Sequence, residues 1–120
     1  MTDKKKILAV DDDPNLRAFY ETVLEDSGFE VKTAEDGLMG TGACQNWKPD
    51  LLILDWDMPG GGGKRVFQSV RQLLKIPVPV LFVTGTQGDL DVDLTLDRVS
   101  ILRKPIEVER LLAGIYFLLR

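Results

Sequence analysis

The sequence predicts an α/β fold in which five strands alternate with helices and form one doubly wound parallel sheet, a (βα)5 arrangement. Two observations lead to this prediction. Short apolar runs typical of strands recur along the chain, and the segments between them place apolar residues at helical spacing. The chain has 120 residues, of which 44% are hydrophobic and 28% charged, as expected for one globular domain spanning residues 1–120.

Five runs are the predicted strands. Lys6–Val10, Leu51–Leu54 and Val78–Val83 are nearly continuous in aliphatic residues, which is typical of strands covered on both faces. Glu30–Ala34 alternates between polar and apolar residues, which favours a position at the edge of the sheet. Val99–Arg103 is the fifth predicted strand.

Three of the intervening segments carry apolar residues on one helical face, and a fourth is a weaker candidate. The weaker helix is predicted over Gly37–Trp47, because Gly40 and Gly42 lie within it. Gly28 is placed where a glycine ends the first helix. The apolar faces consist of Leu16, Phe19, Tyr20, Val23 and Leu24; of Val66, Val70, Leu73 and Leu74; and of Val108, Leu111, Leu112, Ile115 and Leu119.

Composition excludes several classes of function. The net charge of −4 argues against direct nucleic-acid binding, and the absence of histidine removes Ser-His-Asp and Cys-His catalysis and any His-ligated zinc site. Cys44 is the sole cysteine, so no internal disulfide forms, and we expect it in the core. No apolar run reaches the length of a membrane span and no secretory signal opens the chain, so we expect a cytoplasmic protein without a membrane partner.

Polar side chains follow the predicted strands at their carboxyl ends. Asp11-Asp12-Asp13 follows the first strand, Asp55 the third, Thr84 the fourth and Lys104 the fifth. Ligands of open parallel α/β sheets bind at this edge, because the carboxyl ends of parallel strands meet there. The sequence therefore predicts a functional site built from these residues.

The three consecutive acids separate into a helix cap and a candidate metal site. Asp13 before Pro14 is typical of a helix N-cap with proline in the first turn, which leaves Asp11 and Asp12 unexplained. Two carboxylates about 5 Å apart repel each other by roughly 3 kcal/mol at an effective dielectric constant of about 20. Adding Asp55 increases the repulsion, so either the pKa values rise or a cation binds. An all-oxygen site of this kind suits Mg²⁺.

Asp55 could act as a nucleophile toward phosphorus, because it would lie beside the metal site and face a lysine. The hydroxyl of Thr84 could donate a hydrogen bond to a phosphoryl oxygen, and Lys104 could neutralise charge on another. Taken singly, each is an ordinary residue at the end of a strand. Their occurrence together at successive strand ends favours a shared site.

Four segments resemble successive blocks of the receiver domain of bacterial two-component response regulators: ILAVDDDPNLR, AEDGLMGTGACQNWKPDLLILDWDMPGGGG, PVLFVTG and LRKPIEVERLL. The resemblance covers nearly the whole chain. It implies a flavodoxin-like sheet in the order 2-1-3-4-5. It also implies Mg²⁺-dependent transfer of a phosphoryl group from the phosphohistidine of a sensor histidine kinase or phosphotransfer protein.

The resemblance assigns the acidic residues individually. Asp55 would be the phosphoacceptor and a metal ligand, and Asp12 would bind Mg²⁺ directly, with Asp11 assisting through water. Asp57 would contribute its backbone carbonyl to the metal. Mn²⁺ is expected to substitute for Mg²⁺ in such a site.

The resemblance also assigns the phosphoryl-binding and switch residues. Thr84 and Lys104 would hold the phosphoryl group, Thr84 would take part in the conformational switch, and the Lys104–Pro105 bond would be cis. The aromatic switch residue of the family is replaced by Ile101. The domain would signal to a partner or attached domain, and dimerisation would use the face of the fourth helix, fifth strand and fifth helix.

The stretch between Thr84 and Lys104 is somewhat shorter than is common in the family. Its sequence, GTQGDLDVDLTLDR, is rich in glycine and aspartate and contains few strong helix formers, so the predicted fourth helix is short or irregular. We therefore expect signal output to depart from the family pattern more than phosphorylation does.

Two alternatives remain open from the sequence. Asp55-Trp56-Asp57 resembles the D-x-D of haloacid-dehalogenase-type phosphatases, although that family places the motif on the first strand of a longer chain. A receiver-like module that docks partners without phosphorylation is the other alternative, favoured by Ile101. The complete set of acids, threonine and lysine argues against it, and we expect a receiver rather than a turnover enzyme.

Overall fold

The computed structural model describes residues 3–93, 95–96 and 98–120. Five parallel strands form one sheet in the order β2-β1-β3-β4-β5, which confirms the predicted fold class and strand order. The strands are β1 (Lys6–Val10), β2 (Glu30–Ala34), β3 (Leu51–Asp55), β4 (Val80–Thr84) and β5 (Val99–Arg103).

Among the described residues, four helices connect or follow the strands. They are α1 (Pro14–Asp26), α2 (Gly37–Trp47), α3 (Gly62–Phe67), which continues as a π-helical segment over Gln68–Leu73, and α4 (Val108–Leu119). The described residues between β4 and β5 form no helix, which is the extreme case of the short or irregular fourth helix that the sequence predicts. Glycine and aspartate in this stretch explain the outcome, because both are poor helix formers.

The sheet separates two apolar layers, because successive side chains of a strand point to opposite faces. On one face Ile7 and Ile53 pack with Leu24 of α1 and Ile115 of α4. On the other face lies a second cluster with Leu8, Leu52 and Phe82 from the strands and Cys44 and Phe67 from α2 and α3. Cys44 is 1% exposed, so its predicted place in the core is confirmed.

Helix ends follow the sequence signals that bracket them. Asp13 caps α1, because its Oδ1 accepts a hydrogen bond of 2.9 Å from the Asn15 N–H, and Pro14 is the first helical residue. Gly28 adopts a φ of +93° just beyond α1, and its N–H donates to the Glu25 carbonyl. Asp36 caps α2 through the Met39 N–H at 2.8 Å.

Some details differ from the predicted elements, among them the start of β4 and the exposure of three residues predicted on apolar helix faces: Leu73, Leu74 and Val108. β4 begins at Val80 rather than Val78, because Pro79 has no N–H to donate to a neighbouring strand. Leu73 is 78% exposed instead of lying on the apolar face of the third helix. The π-helical segment explains this difference, since its i→i+5 hydrogen bonds change the angular spacing on which the predicted face depends.

Within the part of the chain that the structure describes, no helix is both long enough and apolar enough to cross a membrane.

Candidate functional site

The site lies at the carboxyl edge of the sheet, where the sequence places it. Asp11 follows β1, Asp55 is the last residue of β3, Thr84 is the last residue of β4, and Lys104 follows β5. The parallel register pairs Asp55 with Val83 and Thr84 with Arg103, so the ends of neighbouring strands are level. The structure thereby brings side chains that are distant in sequence to one edge.

Three carboxylates converge at this edge. Asp11, Asp12 and Asp55 each offer an oxygen, and these oxygens lie within 4.8 Å of one another. Asp11 is 1% exposed and Asp55 4%, whereas Asp12 is exposed. The Asp11 carboxylate accepts a hydrogen bond of 2.9 Å at Oδ1 from the Asp13 N–H, but its buried Oδ2 has no hydrogen-bond partner.

Burial and crowding make the charged state of this cluster costly. The pKa of Asp11 rises to about 6, first because of burial and further because of the negative charges of Asp55 and Asp12. The Asp13 N–H and the Lys104 charge oppose the rise without cancelling it. Burial likewise raises the pKa of Asp55, although the Asp57 N–H and Lys104 favour its charged form.

The cluster fits a hard divalent cation. Its donors are all carboxylate oxygens, one buried oxygen lacks a hydrogen-bond partner, and burial raises the pKa values of Asp11 and Asp55. A buried oxygen without a donor is unusual, because buried polar atoms are nearly always paired. A bound cation would satisfy that oxygen and offset the repulsion.

The Asp55 carboxylate is held at one oxygen. Its Oδ1 accepts a hydrogen bond of 3.1 Å from the Asp57 N–H and lies 3.7 Å from the Nζ of Lys104. The Lys104 side chain is 34% exposed, so its ammonium group reaches the site from the rim. The Lys104–Pro105 peptide bond is cis.

The Asp57 side chain turns to the end of β4 rather than to the acidic cluster. Its carboxylate accepts hydrogen bonds from the Thr84 hydroxyl at 3.1 Å, the Gly85 N–H at 3.0 Å and the Thr86 hydroxyl at 3.1 Å. Partial burial raises the pKa of Asp57, but these hydrogen bonds outweigh burial and leave the pKa below its ordinary value.

Sequence reasoning missed this contact and the part that Thr86 plays in it. The sequence offered one signal, a pair of threonines flanking Gly85 directly after a buried strand. No periodicity or spacing predicts that their hydroxyls meet the Asp57 carboxylate.

Glycines let the chain pass close to the Asp55 backbone. Gly62 has a φ of +64°, and a Cβ built on it would lie 2.1 Å from the Trp56 carbonyl oxygen. A Cβ on Gly63 would lie 2.7 Å from the Asp55 carbonyl oxygen. The glycine run therefore brings α3 against the end of β3, and Trp56 packs edge-on against Phe82 with ring centroids 5.2 Å apart.

Tyr20 carries a buried polar atom, although the sequence predicts this residue only as part of an apolar helix face. Its side chain is 1% exposed, and its hydroxyl has no hydrogen-bond partner. Burial raises the pKa of Tyr20, and the charges of Asp11 and Asp55 raise it further.

Ile101 is half-buried on β5, in contact with the apolar layer that contains Phe82. The neighbouring Arg103 donates to the Thr86 carbonyl, and the Lys104 N–H donates to the Thr84 carbonyl at 2.8 Å. β5 is thus tied to the loop that binds Asp57.

The strand order and the acidic edge define a doubly wound α/β domain with a carboxylate cluster at its strand ends that could hold a cation. The family model described as the response regulator receiver domain matches residues 7–116. The chain belongs to this family, and it is a signalling domain of two-component systems.

Curated relatives and solved structures agree with this assignment. The chain is 38% identical to the probable transcriptional regulator ycf27 of Cyanophora paradoxa and 34% identical to the DNA-binding dual master transcriptional regulator RpaA of Synechocystis. The alignments cover 98% and 96% of this chain but 49% of each relative, so the chain spans about half their length. The chemotaxis response regulator CheY4 of Vibrio cholerae is similar in structure, with a TM-score of 0.85, 29% identity and coverage of 97% of this chain and 99% of that one.

Proposed function

We propose that this receiver domain accepts a phosphoryl group on Asp55 in a Mg²⁺-dependent reaction with the phosphohistidine of a histidine kinase or phosphotransfer protein. The observation that supports this most directly is the environment of Asp55. Its carboxylate is buried at the end of β3, touches Lys104, and adjoins a carboxylate cluster fit for a cation.

In the proposed reaction, an Asp55 carboxylate oxygen forms a bond to phosphorus as the phosphorus–nitrogen bond of the phosphohistidine breaks. The electron pair of the broken bond stays on the imidazole nitrogen, and one proton on the ring, present before transfer or taken up from water during it, makes neutral histidine the leaving group. Lys104 would neutralise charge on the phosphoryl oxygens, and the Thr84 hydroxyl and Gly85 N–H would donate hydrogen bonds to them.

Asp11, Asp12 and Asp55 would hold Mg²⁺, with the Asp57 backbone carbonyl as a further ligand. The bound ion supplies positive charge that offsets repulsion between the acidic cluster and the incoming phosphoryl group. Mn²⁺ would serve in the same site, because it also prefers oxygen ligands.

The phosphorylated domain would act as a switch rather than as a turnover enzyme. Thr84 would move toward the phosphoryl group, and the change would pass through β5, where Ile101 stands in place of an aromatic residue. The output would go to an attached domain or to a separate partner in the cytoplasm. An attached domain is supported by the curated relatives named above, which are transcriptional regulators about twice as long as this chain.

Intact-mass spectrometry tests the proposed function. The protein is incubated with Mg²⁺ and acetyl phosphate, alongside Asp55→Asn and the control Asp26→Asn, which removes an exposed carboxylate at the end of α1. We expect a Mg²⁺-dependent gain of one phosphoryl group in the wild type and the control but not in Asp55→Asn. If the wild type gains nothing and binds no Mg²⁺ by Trp56 fluorescence, the non-phosphorylated docking module is the better description.

A further inference from the structure

The carboxylate of Asp57 is held by three donors, two of which the proposed function gives to the phosphoryl group. The Thr84 hydroxyl lies 3.1 Å from its Oδ2, and the Gly85 N–H lies 3.0 Å from the same oxygen. The Thr86 hydroxyl completes the set at 3.1 Å from Oδ1. All three donors belong to the loop that follows β4.

These donors cannot serve two anions at once. Each hydroxyl or N–H carries a single hydrogen, so a donor bonded to the Asp57 carboxylate is not free for a phosphoryl oxygen. The Asp57 charge would also repel a phosphoryl group on Asp55, two residues away in sequence.

Thr84 is held in place from two sides. Its hydroxyl donates to Asp57, and the Thr86 N–H donates to the same hydroxyl oxygen at 3.0 Å. The Asp57 contact therefore fixes the side-chain rotamer of Thr84 together with the backbone of the loop. Releasing Asp57 would free both for rearrangement.

We propose that the Asp57 carboxylate occupies the phosphoryl-binding donors of the resting domain and competes with the phosphoryl group for them. This proposal rests on the proposed function of Asp55. Asp57 acts here as a positioning residue, because it touches neither phosphorus nor the leaving group. Productive binding of a phosphodonor then requires a state in which Asp57 has left Thr84, Gly85 and Thr86.

The competition leaves the covalent chemistry unchanged. With acetyl phosphate, an Asp55 oxygen forms a bond to phosphorus, the bond from phosphorus to the acetyl oxygen breaks, and its electron pair leaves as acetate. Only the population of the competent state changes. The apparent affinity for the donor therefore equals the intrinsic affinity multiplied by the fraction of molecules in which Asp57 is released.

Two variants separate competition for the donors from simple charge repulsion. Asp57→Ala removes both the charge and the hydrogen bonds. Thr86→Val keeps the charge and removes only the hydroxyl contact to Asp57. The matched control is Thr95→Val, because Thr95 is an exposed threonine of the same inter-strand stretch whose hydroxyl contacts Asp93 instead.

The initial rate of phosphorylation is measured by intact-mass spectrometry at a series of acetyl phosphate concentrations. The Mg²⁺ concentration is kept high enough to saturate each variant. We expect the half-saturating donor concentration to fall about tenfold in Asp57→Ala, the scale of one charge-assisted hydrogen bond, and about threefold in Thr86→Val, the lower end of the range for a single hydrogen bond. Thr95→Val should match the wild type. Urea unfolding of each variant verifies that it is folded.

The outcomes distinguish this inference from the proposed function. If the wild type is phosphorylated but Asp57→Ala and Thr86→Val need the same or more donor, the competition is overturned and the proposed function stands. A fall in Asp57→Ala alone also overturns it, in favour of charge repulsion. If no protein gains a phosphoryl group, both proposals are overturned, whereas gain by both Asp57→Ala and Thr86→Val but not by the wild type supports both.

Discussion

The Lys104 ammonium group lies 3.7 Å from Oδ1 of Asp55, the same oxygen that accepts the hydrogen bond from the Asp57 N–H. Both favourable contacts of this buried carboxylate are thus on one oxygen. Lys104 supplies the positive charge that partly balances the cluster of Asp11, Asp12 and Asp55. The stability of the metal-free protein therefore depends on the balance between the Lys104 charge and the charges of the three carboxylates.

Replacing Lys104 by Met should lower the free energy of unfolding of the metal-free protein at pH 7. We expect a loss of about 1 kcal/mol, discounted for the partial exposure of the lysine, because the acidic cluster loses its counter-charge. The loss should shrink in an Asp55→Asn background, which measures the coupling of the pair. Urea unfolding provides the values. Lys64→Met is the control, because its partner Asp91 is 88% exposed and an exposed ion pair contributes little to stability. Equal losses of unfolding free energy at the two lysines would contradict the prediction.

The stability of the metal-free protein should decrease as the pH rises from about 4 to about 6. The folded-state pKa of Asp11 is about 6, above its ordinary value of 3.8, so in this window the folded protein binds more protons than the unfolded chain. The loss should be on the order of 2 kcal/mol. Urea unfolding from pH 4 to pH 7 measures it, and Asp11→Asn should flatten the profile. A wild-type profile that rises or parallels that of the variant would refute the raised pKa.

Tyr20→Phe should stabilise the protein. The substitution keeps the buried ring and removes a hydroxyl that is buried without a hydrogen-bond partner, whose desolvation opposes folding. We expect a gain of about 1 kcal/mol in the free energy of unfolding, measured in urea. Tyr116→Phe removes a hydroxyl from a residue that is 53% exposed and should change nothing. Destabilisation by Tyr20→Phe would mean that the hydroxyl has a partner in solution.

Gly62→Ala should destabilise the protein by about 2 to 4 kcal/mol, because the new Cβ meets the Trp56 carbonyl and the backbone has a positive φ. Gly42→Ala is a matched control, since a Cβ there has nothing within 4 Å and lies inside α2. It should stabilise by about 0.5 to 1 kcal/mol. Thermal unfolding separates the two, and similar shifts at both glycines would contradict this account of the loop.

The sequence predicted which residues share one edge of the sheet, because the rule it used concerns only strand ends. Once β1, β3 and β4 were recognised as buried parallel strands, Asp11, Asp55 and Thr84 had to share one edge. The same rule brought Lys104 to Asp55 from the end of β5. These positions depend on backbone topology, which hydrophobic patterns encode strongly.

Features that depend on side-chain direction or local winding were not predictable in this way. The turn of the Asp57 carboxylate toward Thr84 depends on a rotamer and on the loop path after β4. The exposure of Leu73 depends on a π-helical segment that no apolar pattern marks. The Tyr20 hydroxyl was missed because an aromatic residue on an apolar helix face is counted by its ring and not by its polar atom.

The non-helical stretch between β4 and β5 has a consequence for changes in chain length. Around Gly88 the described backbone belongs to no helix or strand, and Gln87, Gly88 and Asp89 are exposed. Closing a longer loop costs only slowly increasing entropy, so residues added at Gly88 would extend the loop without shifting β4 against β5. The register of Thr84 with Arg103 is set by the strand pairing itself, so it does not depend on the length of this loop. A reporter peptide inserted at Gly88 would therefore extend from the loop after β4 while leaving the sheet intact.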